Sequence, residues 1–257
     1  MPKKNQTKKL MSDLEIEMNR YNQRASTELK QVSIKSHRNY SELLSPIYEK
    51  YYELIESLIK PGSVVLEIGA GTGTYTKILI DLGASVTAQD ISEVSLEVLR
   101  TKINGDINTI TSNMELIPIS GATFDCIVCC NVLSYGSPEK VNHEIYRLLK
   151  PGGSLIIMDS LNANCIYRFN RMLHHLKGER TKSTLKRIPN VNRIKQFSEW
   201  FESSTVFYFG SYFWLIIPIK FLLGRSIAVK VNQILEKFKP SATGAFKFIF
   251  VGRKLIS

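Results

Sequence analysis

At 257 residues, 44% apolar and 22% charged, the chain is long enough for one well-cored domain with insertions and short for two full domains. No internal repeat or low-complexity tract interrupts it, so the bulk of the chain is expected to fold. A net charge of +11 favours encounter with anionic partners such as nucleic acid, phosphorylated metabolites or an acidic membrane surface, and carries no information about fold.

Residues 1–12 are basic and polar with no apolar core behind them, which predicts disorder and excludes a secretory signal there. Residues 13–60 read as helical, with Ile47, Tyr51, Leu54 and Leu58 at helical spacing and Pro61-Gly62 as the stop. An alternation then begins. Strands are predicted over 64–68, 85–90, 106–112, 124–132 and 154–159, with helices over 76–82, 95–102 and 138–149 between them. Such alternation implies a parallel, doubly wound sheet. After Asp159 the texture turns basic: up to Lys195, Glu179 is the sole acid. A helix over 195–202, a strand over 205–209, an amphipathic helix from Ile227 to Phe238 and a closing strand over 245–254 complete the chain. The uncharged stretch 205–219 contains Gly210 and Pro218 and is too short for a membrane span.

Of the four cysteines, Cys126, Cys129 and Cys130 sit on one strand, where Cys126 and Cys130 share a face and Cys129 opposes them. That geometry does not converge on a metal, and no His stands at ligand spacing, so buried free thiols and a reducing, cytoplasmic setting are expected.

The chemistry concentrates at residues 65–74, Val-Leu-Glu-Ile-Gly-Ala-Gly-Thr-Gly-Thr. A buried strand runs straight into Gly69-Ala70-Gly71-Thr72-Gly73, whose alternate glycines permit positive φ and close approach of a ligand to the backbone. The following helix presents free N–H groups at the same place. The spacing does not fit the G-x-G-x-x-G of nicotinamide enzymes, because Thr74 stands where the third Gly is needed. Glu67, two residues before the first glycine, suits a ligand carrying an ammonium and a sulfonium better than a pyrophosphate. Asp90 ends the next strand, where an acid can accept both hydroxyls of a ribose; helix capping, shared with Ser92, is the structural alternative.

This set resembles the class I S-adenosylmethionine-dependent methyltransferases. The glycine loop matches their first motif and Asp90 their second. Ser112-Asn113-Met114-Glu115 followed by Phe124-Asp125 is similar to their adenine-contact turn and fourth-strand entry, and Leu149-Lys150-Pro151-Gly152-Gly153 to the turn before their fifth strand. The resemblance spans about residues 60–160. It implies a Rossmann-like, doubly wound, mostly parallel seven-stranded sheet with helices on both faces. It further implies S-adenosyl-L-methionine as cofactor, held by Glu67, Gly69, Ala70, Gly71, Thr72, Gly73, Asp90, Ile91, Asn113, Met114 and Asn131. Asn113 replaces the family's usual Asp, but its side-chain oxygen can still accept from an adenine amino group. One domain results: a helical lid over 13–60 including Tyr21 and Arg24, a cofactor-binding core over 61–160, and an acceptor-side insert with closing strands over 161–257.

Methyl transfer asks the protein mainly for positioning, so the motifs point to no catalytic residue. Tyr135, His174 and His175 are candidate bases. Tyr135, Asn162, Tyr167, Arg168 and Arg171 are candidate acceptor contacts, with Ser134 and Asp159 near them. On a helix through 166–176, Ile166, Phe169, Leu173 and Leu176 make an apolar stripe, while Arg168, Arg171 and His175 share another face suited to a phosphate. The segment 161–183 is also similar to methyltransferases of bacterial surface-polysaccharide loci, which implies O-methylation of a sugar, sugar-phosphate or lipid-linked saccharide. Quinone-type isoprenoid lipids and RNA are alternative acceptors; no RNA-binding module is present in the sequence, so nucleic acid is not the expected partner. A non-catalytic cofactor-binding protein is the alternative of a different class. The aromatic stretch 207–217 reads as strand and core, or as a wall or membrane-resting surface beside the basic insert.

Overall fold

A computed structural model describes residues 12–30, 42–103, 107–176, 181–238 and 240–256. The expected disorder of residues 1–11, the start of the 106–112 strand and residues 177–180 of the 161–183 segment lie outside the described residues.

The described helices are α1 (Asp13–Lys30), α2 (Ser45–Leu58), α3 (Thr76–Asp81), α4 (Glu93–Lys102), α5 (Pro138–Leu148), α6 (Cys165–Leu176), α7 (Lys182–Arg187), α8 (Val191–Ser198), α9 (Phe213–Leu223) and α10 (Arg225–Leu235). The strands are β1 (Val64–Ile68), β2 (Ser85–Asp90), β3 (Asn108–Thr111), β4 (Phe124–Cys130), β5 (Leu149–Ser160), β6 (Ser203–Phe209) and β7 (Lys247–Arg253). They form one seven-stranded sheet in the order β3-β2-β1-β4-β5-β7-β6, parallel except for β7, which runs antiparallel to both its neighbours. This is the expected Rossmann-like, doubly wound sheet.

Period-two alternation fills both faces. Leu66, Ile68, Ile127, Cys129, Leu155, Ile157, Phe248 and Phe250 pack with α5 and α8 on one side. Val65, Cys126, Val128, Ile156, Met158 and Ile249 pack with α2 and α3 on the other. Cys126 and Cys129 thus point to opposite faces, as the strand spacing requires. Cys165, by contrast, is exposed.

The boundaries moved where polar groups could be satisfied in more than one way. β5 begins at Leu149 and runs through Pro151-Gly152-Gly153, because Gly153 lets the chain pass closely: a Cβ there would lie 2.9 Å from the Lys150 carbonyl. The helix expected at 195–202 is displaced to Val191–Ser198, started by the Asn190 side chain, which accepts from the Arg193 N–H. Of the segment 13–60 expected as a helical lid, α1 lies beside the cavity and residues 31–41 lie outside the described residues. α2 is a core helix, with Ile47, Tyr51 and Ile55 buried under the sheet.

Candidate active site

β1, β2 and β4 end side by side at Ile68, Asp90 and Cys130, and a cavity of about 350 Å³ opens there. Ligands of doubly wound folds sit at this end of the strands. The glycine loop forms its floor. Gly69 adopts φ +71°, and a Cβ on it would lie 2.2 Å from Val132, so only glycine fits. Gly71 adopts φ +55° with open space around it, and its N–H donates to the Asp90 carboxylate at 2.9 Å. The Ser92 N–H donates to the other carboxylate oxygen, also at 2.9 Å. Asp90 therefore pins the loop to the end of β2 and still keeps lone pairs for a ribose. Burial raises its pKa from the usual carboxylate value, opposed by those two N–H donors. The capping alternative is met by Ser92, whose hydroxyl accepts from the Ser95 N–H at the start of α4.

Gly69, Ala70, Gly71, Thr72, Asp90, Ile91, Asn113, Met114 and Asn131 all line the cavity. Two members of the expected set are not in its wall. Gly73 faces α4, where a Cβ would lie 3.1 Å from Leu99; it serves helix packing. Glu67 is buried behind the loop and accepts a 2.6 Å hydrogen bond from Thr76. Burial raises its pKa to about 8, so it does not present the negative charge expected of it at neutral pH. Asn113 spends one lone pair of its side-chain oxygen on the Glu115 N–H, leaving one free. Asn131 takes φ +58°, which aims it across the end of β4, and its side-chain oxygen accepts from Lys247.

The rest of the wall includes residues the sequence did not single out. Gln89 ties two parts of the site together: its side-chain oxygen accepts from the Gly69 N–H and its amide donates to the Ser112 carbonyl. Tyr75 and Cys130 complete the floor. Burial pushes the Cys130 thiol up to about 12, so it stays protonated. α1 supplies Glu17, Met18, Tyr21 and Arg24 as a roof, and α7 supplies Ser183, Thr184 and Arg187. α1 is fastened at three points: Ser92 donates to Asn22 (2.6 Å), Tyr21 donates to the Tyr135 hydroxyl (2.7 Å), and Thr184 donates to Glu17 (3.2 Å). Polar side chains spaced along an exposed helix were the available signal for this roof, and only Tyr21 and Arg24 were read from it.

Among the described residues, Tyr135 is the one acceptor-side candidate in the cavity wall. The others are elsewhere. Tyr167 is buried, donates to the Gly210 carbonyl at 2.9 Å and packs on Phe246. Arg171 is buried too: its guanidinium donates to the Leu161 carbonyl at 2.8 Å and lies over the Phe246 ring. Arg168 is exposed while the Arg171 guanidinium is turned into the protein, so the two do not form a phosphate grip. The backbone N–H of Asn162 donates to the Pro189 carbonyl, and Asn162 does not line the cavity. Asp159 is buried and accepts from the Leu133 and Ser160 N–H groups. His175 lies on α6 outside the cavity wall, and the side chain of His174 is outside the described residues. Among the described residues no group of side chains is arranged to hold a metal.

A strand–glycine-loop–helix floor, an acid at the end of β2 and a β7 antiparallel in an otherwise parallel sheet define a methyltransferase-type Rossmann-like fold. The sequence profile described as "Methyltransferase domain" matches residues 66–157, the segment that holds the glycine loop and Asp90. Among curated proteins, a ubiquinone/menaquinone biosynthesis C-methyltransferase UbiE from Haemophilus ducreyi is 34% identical over 115 residues, 39% of this chain and 42% of that protein. A demethylmenaquinone methyltransferase from Clavibacter sepedonicus is 34% identical over 105 residues, 38% of this chain and 41% of that one. The chain thus spans about two fifths of these relatives. Phosphoethanolamine N-methyltransferase 2 of Haemonchus contortus, solved with S-adenosyl-L-methionine, superposes with a TM-score of 0.57 at 17% identity, covering 81% of this chain and 53% of that one. The [4+2]-cyclase SpnF superposes with a TM-score of 0.54 at 17% identity, covering 81% of each chain. Residues 66–157 therefore match a methyltransferase domain by sequence, and the chain shares its fold with these solved structures; the cyclase is a reminder that the fold alone hosts other reactions.

Proposed function

We propose that this protein is an S-adenosylmethionine-dependent methyltransferase whose acceptor reaches the transferable methyl from the Tyr135 side of the cavity. The supporting observation is the joint placement of Gly69, Gly71, Asp90, Asn113 and Asn131 around one cavity, with Gly69 and Gly71 stripped of side chains where a ligand must touch backbone. The donor set fits the cofactor: Asp90 for the ribose, the Asn113 turn and Ile91 for the adenine, the loop and Asn131 for the methionine end.

When bound, S-adenosylmethionine supplies an already activated methyl group. The chain's own residues then position and enclose. Holding an acceptor in line is worth up to roughly 7–11 kcal/mol in well-oriented systems. Tyr21 and Tyr135 close the acceptor side. Tyr21 spends its proton on Tyr135, which leaves the Tyr135 O–H free to donate to the acceptor. Burial holds the Tyr21 pKa far above the ordinary phenol value, so it serves as a donor and not as a base. The α1 roof excludes water.

For the acceptor, an apolar isoprenoid of quinone type is the reading we adopt. Its supports are the curated relatives that bear such names, the burial of Arg171 away from any anion site, and the apolar helices exposed near the acceptor end of the sheet. The O-methylation of a sugar, sugar-phosphate or lipid-linked saccharide of a surface polysaccharide is the second reading, favoured by Arg24 and Arg187 in the cavity wall.

Calorimetric titration with S-adenosylmethionine tests the cofactor site. Micromolar binding is expected, weakened at least about tenfold in Asp90→Ala and less in Asp90→Asn, which keeps one acceptor oxygen. No binding by folded wild-type protein refutes the proposal. Transfer of labelled methyl to demethylated quinone precursors, set against sugar nucleotides and lipid-linked glycans, separates the two acceptor readings.

A further inference from the structure

α9 and α10 pack against each other across Gly224, which turns at φ +89° with open space where a Cβ would stand. The hairpin is anchored at its base: Ile216 is fully buried with Leu43 and Ala228, and Asn232 donates to the Leu43 carbonyl at 2.9 Å. Its tip is bare. Phe221 and Leu222 are each 81% exposed and Leu223 60%, in a row between Lys220 and Arg225. Along the same pair of helices Trp214, Ile217, Ile227 and Ile234 are exposed as well.

α6 extends the apolar surface. The stripe read from its sequence exists but faces outward: Ile166, Phe169, Leu173 and Leu176 are exposed, while Tyr167 and Arg171 face the protein. Tyr167 donates to the Gly210 carbonyl and the Gly210 N–H donates to Glu236, just past α10, so both surfaces flank one corner. That corner lies where β5, β7 and β6 meet at Ser160, Lys247 and Phe209, at the same end of the sheet as the cavity.

So much exposed apolar surface marks a contact site. Its charge decides the partner. No acidic residue occurs between Glu202 and Glu236, and between Asp159 and Glu199 there is only Glu179. Lys220, Arg225 and Lys230 are exposed around the tip, Arg225 in an exposed ion pair with Glu42 at 3.2 Å, so the tip keeps an excess of positive charge. A second copy of this chain would bring the same positive charge to the contact. An anionic bilayer matches both the apolar tip and its basic collar. No described helix is long and apolar enough to cross a membrane, and at about 1.5 Å per residue each arm reaches about half of a hydrocarbon core.

We propose that the α9–α10 tip, with Phe221, Leu222 and Leu223 between Lys220 and Arg225, docks this protein onto the surface of an anionic phospholipid bilayer. The tip inserts at the interface, and its collar and the α6 stripe rest against the head groups. Docking stands independently of which acceptor is methylated.

Sedimentation of the full chain with vesicles tests it. Wild type is expected to pellet with phosphatidylcholine vesicles containing phosphatidylglycerol and not with pure phosphatidylcholine. Lys220→Gln and Lys230→Gln should each weaken binding about fivefold. The double variant Phe221→Ser with Leu222→Ser, on exposed positions that do not hold the fold, should weaken it roughly tenfold or more. Wild type left in the supernatant, or the Ser variant pelleting like wild type, overturns the proposal. So does a concentration-dependent dimer that the Ser variant abolishes in the absence of vesicle binding. S-adenosylmethionine titration of the same samples reads the functional proposal separately: vesicle binding without cofactor binding upholds the docking and refutes only that proposal.

Discussion

Glu67 sits beneath the glycine loop with its carboxyl buried and hydrogen-bonded by Thr76. Burial raises its pKa from 4.5 to about 8, with the Thr76 hydrogen bond opposing and Asp90 adding to the rise. Between those values the folded chain holds a proton there that the unfolded chain has released. Glu67's contribution to stability is therefore complete below about pH 4.5 and is lost as the pH rises to about 8. The loss is of order a few kcal/mol. Glu67→Gln removes the ionisation and keeps an acceptor for Thr76. Urea unfolding of the variant should match wild type near about pH 5 and be the more stable near about pH 9. Equal pH slopes for the two proteins would mean that Glu67 is not desolvated as described. The glycines and Asp90 were legible from sequence because their roles are set by backbone geometry within a few residues. Glu67 was legible as an acid but not as a buried one, since the groups that desolvate it come from distant parts of the chain.

Elements reproduce this division. β1, β2, β4 and β5 announced themselves by alternation between glycine and proline breaks. α6 was legible as a helix but inverted: an apolar stripe is normally buried, yet here Tyr167 and Arg171 satisfy carbonyls of Gly210 and Leu161 and turn inward instead. The stretch 207–217 reads as strand and core, or as a wall or membrane-resting surface; β6 takes it to Phe209 and α9 takes it from Phe213, and nothing local tells an aromatic and β-branched helix from a buried strand. α1 is where element and function meet. It covers the cavity by polar fastenings at Asn22, Tyr21 and Glu17, spread along one helix. Each is worth about 1 kcal/mol net. Asn22→Ala lies outside the cavity wall and removes one fastening, so α1 should open more often. The expected outcome is a cofactor dissociation rate raised several-fold in stopped flow, with the melting temperature nearly unchanged. An unchanged dissociation rate would show that α1 does not gate the site.

On the scale of the whole molecule, the sheet joins the cofactor half to the acceptor half without a break. β5 pairs with β4 on one side and with β7 on the other. The aromatic cluster of Phe197, Phe201 and Phe250 lies in the core shared with Leu66, Ile68 and Ile127 of the cofactor half. Phe250 is 1% exposed and stacks on Phe197 at 5.6 Å between ring centroids. Such continuity predicts one cooperative transition. Both tryptophans, Trp200 and Trp214, lie in the acceptor half, so their fluorescence reports that half while far-ultraviolet circular dichroism reports the entire chain. The two melting curves should coincide. S-adenosylmethionine at about a hundred times its dissociation constant adds about 2.7 kcal/mol, which at about 2–4 °C per kcal/mol should raise both midpoints together by roughly 5–10 °C. Phe250→Ala removes about 3–5 kcal/mol from the core and should lower both midpoints together, although it lies far along the chain from the glycine loop. If the fluorescence transition moves with Phe250→Ala but not with cofactor, the halves unfold separately, and the acceptor half is coupled to the cofactor site by contact alone.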